Sequence, residues 1–243
     1  MRVLVTGGAK RLGAAIVRAV AAAGHMPVIH CGRSRAEAEA LAREVGGSVV
    51  QGDLSDAEAV RALFAAARAD GAVEGLVNSA SLFAFDRPGA IDPALAARLH
   101  AVNTVAPALL TAALAAQGGE GAVVNLLDQK LANPNPDFFS YTLSKAALET
   151  ATVLMAQAFA PRVRVNAVSP GLTLPSGDQS DDEFARTGRM NLLERPVGAA
   201  AVAQAVVYLL EARSVTGQNL FVDCGQRFVK SDRDVMFDGR DDG

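Results

Sequence analysis

Apolar residues along this chain fall into two alternating patterns. Seven short runs are almost continuously apolar: "RVLVTG", "PVIHCG", "GSVVQGD", "EGLVNSA", "GAVVNLL", "RVRVNAVSPG" and "NLFVDCG". Strands without polar alternation are typical of a parallel sheet that is buried on both faces. Between these runs, Ala- and Leu-rich stretches of helical period predict helices over 11–23, 34–45, 56–69, 92–116, 140–160 and 198–211.

This alternation predicts an α/β fold in a single domain that spans residues 1–243. Crossovers between parallel strands are right-handed, which gives one doubly wound Rossmann domain with a seven-stranded, mostly parallel sheet and helices on both faces. A length of 243 residues is ordinary for one such domain. Two segments look irregular: 172–191, which we expect to be a mobile substrate lid, and the charged C-terminal tail 229–243, which is either disordered or docked near a subunit boundary through Val235, Met236 and Phe237.

Helix start signals agree with three of these boundaries. The pairs Ser34–Glu37 and Ser55–Glu58 both fit the capping box, in which a serine is followed three residues later by a glutamate. Asp92 followed by Pro93 fits an N-cap residue with proline at the first helical position.

Composition argues against several classes of function. The net charge is −3 and there is no basic run, so we expect no nucleic-acid partner. Two distant cysteines, Cys31 and Cys224, form no disulfide framework and fit a reducing compartment, and the three histidines lack metal-ligand spacing. Without a targeting peptide or an apolar stretch of about 20 residues, we expect a cytoplasmic protein that contacts no membrane and holds no metal.

The stretch "VTGGAKRLGAAIV", residues 5–17, has the pattern of a nucleotide-binding turn. Thr6 and Gly7 end the first strand, and Gly13 opens the first helix. Glycines let the backbone approach a pyrophosphate, and the helix N-terminus supplies amide donors. Turns with glycine before a helix are also common elsewhere, so the signal depends on its place in the first β–α–β unit.

The end of the second strand favours NADPH over NADH. Folds that bind NAD usually place an acidic residue about 20 positions further on, where it holds the ribose 2′-hydroxyl. Here that position is Arg33, and a guanidinium beside the Ser34 hydroxyl suits a 2′-phosphate. The alternative is a solvated arginine beside an ordinary N-cap serine. Asp53, after the third strand, either meets the adenine or is a plain turn aspartate.

The stretch "YTLSK" places Tyr141 and Lys145 one helical turn apart on the same face. A nearby ammonium favours tyrosinate, so we expect Lys145 to lower the pKa of Tyr141 and to make it a proton-transfer group near neutral pH. Lys145 can also bond the nicotinamide ribose. The same spacing elsewhere marks only an interface tyrosine and a surface lysine.

These motifs together resemble the short-chain dehydrogenase/reductase family over nearly the whole chain. The matching parts are "TGGAKRLG", "GDLSD", "LVNSAS", "HAVNTVAP", "YTLSK", "VNAVSPGL" and "TGQNLFVDCG". The resemblance implies hydride transfer from a nicotinamide, with Tyr141 as acid, Lys145 as its partner, and Asn103 in a water-linked proton path through a helix irregularity. It also implies a homotetramer, formed partly through the last strand. The cofactor-binding residues expected for NADPH are Gly7, Arg11, Leu12, Gly13, His30, Arg33, Ser34, Asp53, Leu54, Ser79, Ala80, Tyr141, Lys145, Pro170 and Gly171, the last two against the nicotinamide.

The chain departs from the common family pattern at three places. Arg11 stands where the first turn usually has a glycine. Asp128 stands thirteen residues before Tyr141, where a serine is usual. The "SAS" at 79–81 replaces the usual Asn-Ala-Gly.

These departures are similar to the pteridine reductase branch of the family, which includes dihydromonapterin reductases. In that branch the resemblance places Arg11 near the pyrophosphate and the pterin, although a solvent-exposed Arg11 is the alternative. It also implies that Phe83 stacks on the pterin and that Ser81 lines the site. With Asp128 and Tyr141, these residues form the expected substrate-binding set.

The carboxylate at position 128 favours a pterin on chemical grounds as well. A developing alkoxide needs hydrogen-bond donors and is repelled by an anion, whereas the ring N–H and amino groups of a pterin donate to a carboxylate. We therefore expect NADPH-dependent reduction of a dihydropterin, with Asp128, Tyr141 and Lys145 delivering the proton; a purely structural Asp128 is the alternative. Two other functions stay open: a carbonyl reductase of the same fold acting on a ketone or a 3-oxoacyl thioester, and a non-catalytic NADPH-binding regulatory protein.

Overall fold

The computed structural model describes residues 1–175 and 179–237, and its centre is a seven-stranded parallel sheet. The strands are β1 Arg2–Thr6, β2 Met26–Cys31, β3 Ser48–Gln51, β4 Gly75–Asn78, β5 Gly121–Leu126, β6 Val163–Pro170 and β7 Asn219–Val222. They lie in the order β3-β2-β1-β4-β5-β6-β7, and each neighbouring pair runs parallel. The predicted doubly wound sheet is confirmed.

Helices cover both faces of this sheet. They are α1 Arg11–Ala22, α2 Arg35–Val45, α3 Ala57–Ala67, α4 Pro93–His100, α5 Ala106–Ala115, α6 Phe139–Phe159, α7 Asp181–Thr187 and α8 Ala199–Glu211. Val3 and Val5 of β1 pack in one core with α1, α2 and α8, whereas Leu4 packs in the other core with α3, α5 and α6. Successive strand residues point to opposite faces, so an uninterrupted apolar strand supplies two cores at once.

The helix predicted over 92–116 is interrupted in its middle. α4 ends at His100, and Ala101–Val105 forms a π-helical turn before α5 begins. Pro107 lies in the first turn of α5, where its missing N–H removes one bond of the α-helical ladder. The π turn holds Asn103 at zero exposure. The helix irregularity expected at Asn103 is confirmed.

The capping box predicted at the start of α2 is wrong. Ser34 is the N-cap residue, but within the described structure its side chain makes no capping bond, since its backbone (φ −93°, ψ 54°) is not in the usual extended N-cap conformation. Glu37 pairs with the ammonium of Lys10 at 2.6 Å instead. The Ser34 hydroxyl is therefore not used by the helix that it precedes.

The cap of α3 lies one residue later than predicted. Asp56 accepts hydrogen bonds from the amides of Glu58 (2.8 Å) and Ala59 (3.4 Å), because a carboxylate caps as well as a hydroxyl and adds negative charge at the helix N-terminus. The Ser55 hydroxyl donates to Asp53 instead, at 2.7 Å. The cap predicted at Asp92 is confirmed: its carboxylate accepts from the Ala94 amide at 2.9 Å.

The segment 172–191 is not irregular throughout, contrary to expectation. It contains α7, which begins at a reciprocal capping box between Ser180 and Glu183 and carries three acidic residues in its first turn. Residues 176–178 lie outside the described residues, and the mobility of the lid stays a prediction.

The C-terminal tail docks on its own chain as far as the structure describes it. A short 3₁₀ turn, Val235–Phe237, places the Phe237 ring 5.2 Å from Phe85 and 5.9 Å from Phe138, measured between centroids. Residues 238–243 lie outside the described residues. Within the described part of the chain, no helix is both long and apolar enough to cross a membrane.

Candidate active site

The first turn is a close approach that only glycine permits. Gly7 has φ of +63°, and a Cβ added there would lie 2.9 Å from the Cα of Ala80. A Cβ added at Gly13 would lie 2.1 Å from the Gly7 carbonyl oxygen. Backbone therefore packs directly on backbone where β1, α1 and the loop after β4 meet, which leaves the helix N-terminus accessible to a phosphate.

His30 fixes this turn to the loop after β3. Its Nδ1 accepts from the Gly7 amide and its Nε2 donates to the Gly52 carbonyl, both at 3.1 Å. Burial lowers the pKa of His30, so the ring is neutral, and a neutral ring with one donor and one acceptor nitrogen matches these partners. His30, which was predicted to bind the cofactor, therefore borders the site, but both of its ring nitrogens already bond to protein atoms.

A first cavity of about 540 Å³ opens at the carboxyl ends of β1 to β4. It is lined by Gly7, His30, Gly32, Arg33, Gln51, Gly52, Asp53, Leu54, Ala80, Ser81, Leu82, Arg98 and Val102. Arg33 is exposed at its rim, next to the uncapped Ser34. Sequence reasoning missed Arg98, because it lies on α4, far along the chain from any nucleotide-binding motif.

Asp53 has the geometry of a turn aspartate, and its predicted contact with the adenine stays a prediction. Its Oδ1 accepts from the amide (2.8 Å) and the hydroxyl (2.7 Å) of Ser55, as in a turn aspartate, and these bonds lower its pKa. The charges of Arg98 and Arg33 lower the same pKa further. The first cavity thus carries two guanidinium groups beside one ionised carboxylate.

A second cavity of about 430 Å³ collects most of the predicted catalytic and substrate residues. The predicted residues that line it are Arg11, Leu12, Ser79, Ser81, Phe83, Asp128, Tyr141, Lys145, Pro170 and Gly171. Residues that were not predicted line it too: Leu126, Leu127, Gln129, Lys130, Leu172, Thr173, Leu174, Gln226, Asp234 and Val235. Asn103, which was predicted as catalytic, is fully buried and is not among the residues that line this cavity.

A carboxylate and a phenol form the centre of the second cavity. The Tyr141 hydroxyl donates to Asp128 Oδ2 at 2.9 Å, and Asp128 Oδ1 accepts from the Lys130 amide at 2.9 Å. Burial raises the pKa of Asp128, although both hydrogen bonds oppose that shift. A carboxylate with a raised pKa that holds a phenolic proton is suited to proton transfer.

The expected lowering of the Tyr141 pKa by Lys145 is wrong. Burial first, and then the negative charge of Asp128, raise the pKa of Tyr141 well above its ordinary value. Lys145 is turned elsewhere: its Nζ donates to the Leu126 carbonyl at 2.7 Å and lies 5.8 Å from the centre of the Tyr141 ring. Tyr141 is therefore a neutral phenol, the form that donates a proton.

Burial also changes the pKa of Lys145. Its side chain is 2% exposed, and burial lowers its pKa to about 8, with Asp128 opposing the shift. A lysine that titrates near neutral pH is common at functional sites and rare on surfaces.

Asn103 connects the loop after β4 to α6. Its side-chain amide donates to the Leu82 carbonyl (2.9 Å) and the Ser144 hydroxyl (3.0 Å), and its Oδ1 accepts from the Leu82 amide (2.8 Å). Ser144 in turn donates to the Tyr141 carbonyl at 2.6 Å. These bonds hold the loop that carries Phe83 in register with α6; the water-linked proton path through Asn103 stays a prediction.

Phe83, Phe138 and Tyr141 form a cluster of rings at the second cavity, which we call the aromatic platform. The Phe83 ring is 43% exposed, stacks on Phe138 at 4.2 Å and meets the Tyr141 ring edge-on at 4.7 Å. Offset and edge-on arrangements are the favourable ones for aromatic rings. Sequence reasoning missed Phe138, because an aromatic pair before a helix is an ordinary core signal.

Arg11 occupies a backbone conformation in which glycine is the usual residue. Its φ is +53°, and for a non-glycine residue this left-handed region costs on the order of 1–3 kcal/mol. Its guanidinium donates to the Pro175 carbonyl, at the edge of the segment 172–191. The side chain thus joins the first turn to that segment at the border of the second cavity.

Comparison with known proteins agrees with this geometry. A family model described as enoyl-(acyl carrier protein) reductase matches residues 7–227. The chain is similar to L-xylulose reductase from Bos taurus (34% identical, covering 92% of this chain and 95% of that protein) and to dihydromonapterin reductase from Klebsiella pneumoniae (29%, 92% and 95%). Among solved structures, FolM alternative dihydrofolate reductase 1 from Brucella canis, complexed with NADP, is 44% identical, with a TM-score of 0.89 and 95% of each chain covered. A family match over this length, on a sheet of this order, shows that the chain belongs to the short-chain dehydrogenase/reductase family of oxidoreductases.

Proposed function

We propose that this protein is an NADPH-dependent reductase of a dihydropterin, such as dihydromonapterin or dihydrobiopterin. The observation that carries the proposal is the 2.9 Å hydrogen bond from the Tyr141 hydroxyl to Asp128, a carboxylate where this fold usually carries a serine. Relatives named dihydromonapterin reductase and pteridine reductase 1, at 29% and 30% identity, support the same substrate class.

The residues around the first cavity fit NADPH. The backbone cradle at Gly7 and Gly13 suits a pyrophosphate, and the exposed Arg33 with the uncapped Ser34 hydroxyl suits a 2′-phosphate. The NADP complex of the Brucella canis relative supports the same choice. When bound, the nicotinamide supplies the hydride.

The chain's own residues supply and balance the proton. Reduction of a C=N bond adds a hydride to carbon and a proton to nitrogen, and Tyr141, as a neutral phenol, donates that proton. The ammonium of Lys145, 5.8 Å from the centre of the Tyr141 ring, partly offsets the negative charge of Asp128 when the tyrosinate forms, although it does not lower the pKa of Tyr141 below its ordinary value. Solvent returns a proton to Tyr141 after the reaction. Asp128, as a carboxylate, accepts hydrogen bonds from the Tyr141 hydroxyl and from N–H groups of the pterin ring.

Three further residues position the ring. Phe83 offers an exposed aromatic face on which a flat heterocycle stacks, and Ser81 lines both cavities beside it. Arg11 brings a cation to the border of the second cavity, near the phosphates and the substrate. The backbone strain at Arg11 supports a role for its side chain, since a glycine would remove the strain.

A second candidate is a carbonyl reductase, which the 34% identity to L-xylulose reductase favours. Asp128 counts against it, because an anion repels the alkoxide that forms when a ketone is reduced. The assembled group of Tyr141, Lys145 and Asp128 gives a non-catalytic NADPH-binding protein no support.

We also propose a homotetramer working in the cytoplasm. Leu143 and Leu154 of α6 are 55% and 58% exposed and lie three helical turns apart on one face, which suits contact with a second copy. Cys31 and Cys224 are both free thiols, in keeping with a reducing compartment. Light scattering at micromolar concentration measures the assembly, and a monomer would contradict it.

The central experiment compares substrates and variants at the Tyr141–Asp128 pair. NADPH oxidation is followed with dihydromonapterin, dihydrobiopterin, dihydrofolate, an acetoacetyl thioester and simple ketones. We expect Asp128→Ser to lower pterin turnover by about 10²–10⁴-fold, the usual contribution of a general acid. Tyr141→Phe should cost a similar factor and the double variant little more, because residues that act as a unit are not additive.

Ketone reduction provides the internal control for this series. Asp128→Ser should retain or improve weak ketone activity, since the repulsion of an alkoxide is gone, and unchanged NADPH binding shows that the variant is folded. Full pterin activity in Asp128→Ser would make the carboxylate structural. A wild-type preference for the acyl thioester over every pterin would establish the second candidate.

Cofactor preference tests the role of Arg33. A charge-assisted hydrogen bond contributes about 1.5–3 kcal/mol, so Arg33→Asp should raise the KM for NADPH at least about tenfold and improve the use of NADH. Arg35→Asp is the matched control, because Arg35 is exposed on the same helix end and pairs with Glu39. If Arg33→Asp leaves the preference for NADPH unchanged, this assignment is wrong.

The pH profile tests the charge on Lys145. Because its pKa is about 8, the ammonium is present below that pH and is lost above it, so turnover should fall as the pH rises through about 8. A guanidinium does not deprotonate in this range, so Lys145→Arg should retain some activity and lose this limb of the profile. The same limb in Lys145→Arg would assign it to another group.

A further inference from the structure

The tail reaches the substrate cavity although no catalytic motif includes it. Asp234 and Val235 line the second cavity together with Asp128 and Tyr141. The charge of Asp234 also helps to raise the pKa of both Asp128 and Tyr141. We define the docked tail as the described residues 229–237.

A buried lysine anchors the docked tail. Lys130 is buried, and its ammonium donates to the Asn135 side chain (2.7 Å), the Asp137 carbonyl (2.7 Å) and the Asp234 carboxylate (3.2 Å). A buried charge needs such partners, because it is costly to leave unpaired. The amide of Lys130 also donates to Asp128, so one residue fixes both the central carboxylate and the tail.

Three further contacts, made by Asp137 and Asn133, fix the tail along its length. The Asp137 carboxylate is 3% exposed and accepts from the Asp234 amide (2.9 Å) and from the Arg233 guanidinium (3.4 Å). The Asn133 side chain donates to the Val229 carbonyl at 2.8 Å. Lys130, Asn133 and Asp137, all in the loop between Asp128 and α6, thus each bond to the tail.

The end of the docked tail supports the aromatic platform. Phe237 lies nearly parallel to Phe138 (15° between planes, centroids 5.9 Å apart), and Phe138 stacks on Phe83 at 4.2 Å. The ring expected to receive the substrate is therefore backed by a column that ends in the tail. Loss of the tail removes support from Phe83 as well as a wall of the cavity.

We propose that the docked tail is a wall of the substrate site and that Asp234 makes this wall select neutral substrates with N–H or O–H donors over anionic ones. Both residues line the cavity, but the Asp234 side chain is 19% exposed and that of its partner Lys130 only 5%, so a substrate meets more of the carboxylate than of the ammonium. A carboxylate accepts hydrogen bonds from the hydroxyls of a polyol side chain and repels a second carboxylate. Where the substrate is a pterin, which rests on the proposed function, the class selected carries a neutral hydroxylated side chain.

The experiment removes the charge of Asp234 and keeps its shape. Asp234→Asn retains an oxygen acceptor for Lys130, and a chain ending at Phe228 removes the whole tail. Asp232→Asn is the matched control, since its side chain is 92% exposed and faces only Lys230 at 3.9 Å among its ion-pair partners in the described chain. KM and kcat are measured for dihydromonapterin, which is neutral, and for dihydrofolate, which carries carboxylates.

Wild type should have the lower KM for the neutral substrate. Asp234→Asn should shift the ratio of the two KM values at least fivefold toward the anionic substrate, with the Kd for NADPH within twofold of wild type. The shortened chain should lose the same discrimination and raise both KM values, because Phe83 loses its support. Asp232→Asn should leave the ratio unchanged.

The charge argument does not depend on the ring that is reduced, so the same ratio is measured with a neutral and an anionic ketone, diacetyl and acetoacetate. A shifted ketone ratio without pterin turnover would show that the proposed function is wrong while the role of Asp234 stands. Pterin turnover with an unchanged ratio in Asp234→Asn overturns this inference alone. Absence of turnover with all four compounds overturns both.

Discussion

The two hydrogen bonds of Asp128 are the interactions on which the rest of the site depends. A carboxylate buried at the end of a parallel sheet needs partners, and here they are the Tyr141 hydroxyl and the Lys130 amide, both at 2.9 Å. Burial first, and then the negative charge of Asp128 and the first of these hydrogen bonds, keep Tyr141 a neutral phenol. The second bond fixes Lys130, whose buried ammonium in turn binds Asp234 of the tail. Asp128 thus contributes to the raised pKa of Tyr141 and bonds to the loop that holds the tail.

The sheet makes this arrangement possible by bringing distant loops to one edge. The strand order reverses direction at β1 and β4, and ligands in such sheets bind in the crevice outside the carboxyl ends at that point. Both cavities lie there, and residues 79–83 after β4 border each of them. Asn103 holds that loop from the π turn, so the irregular helix positions the platform. Two apolar cores, one on each face of the sheet, support this edge, and a site made of loops depends on such a scaffold.

Sequence reasoning succeeded where the signal is local and failed where neighbours compete. The strands, and helices such as α1 and α8, follow from apolar periodicity, and their bounds agree with the prediction within one to three residues. The helix caps depend on which neighbouring side chain forms the bond. Glu37 pairs with Lys10 and not with the backbone of Ser34, and Asp56 caps α3 in place of Ser55. The short helix α7 begins at a capping box, but its Ser- and Asp-rich sequence is also typical of loops, so the helix was not predicted.

By itself, the sequence determined the sheet, the glycine turn, and the one-turn spacing of Tyr141 and Lys145, together with the carboxylate thirteen residues before the tyrosine. These features are set by periodicity and short-range spacing, which a linear chain displays directly. Only the tertiary structure decided that Tyr141 has a raised rather than a lowered pKa and that Lys130 binds Asp234, 104 residues away. Burial and long-range pairing depend on how all the elements pack, because a charge responds to whatever surrounds it in space.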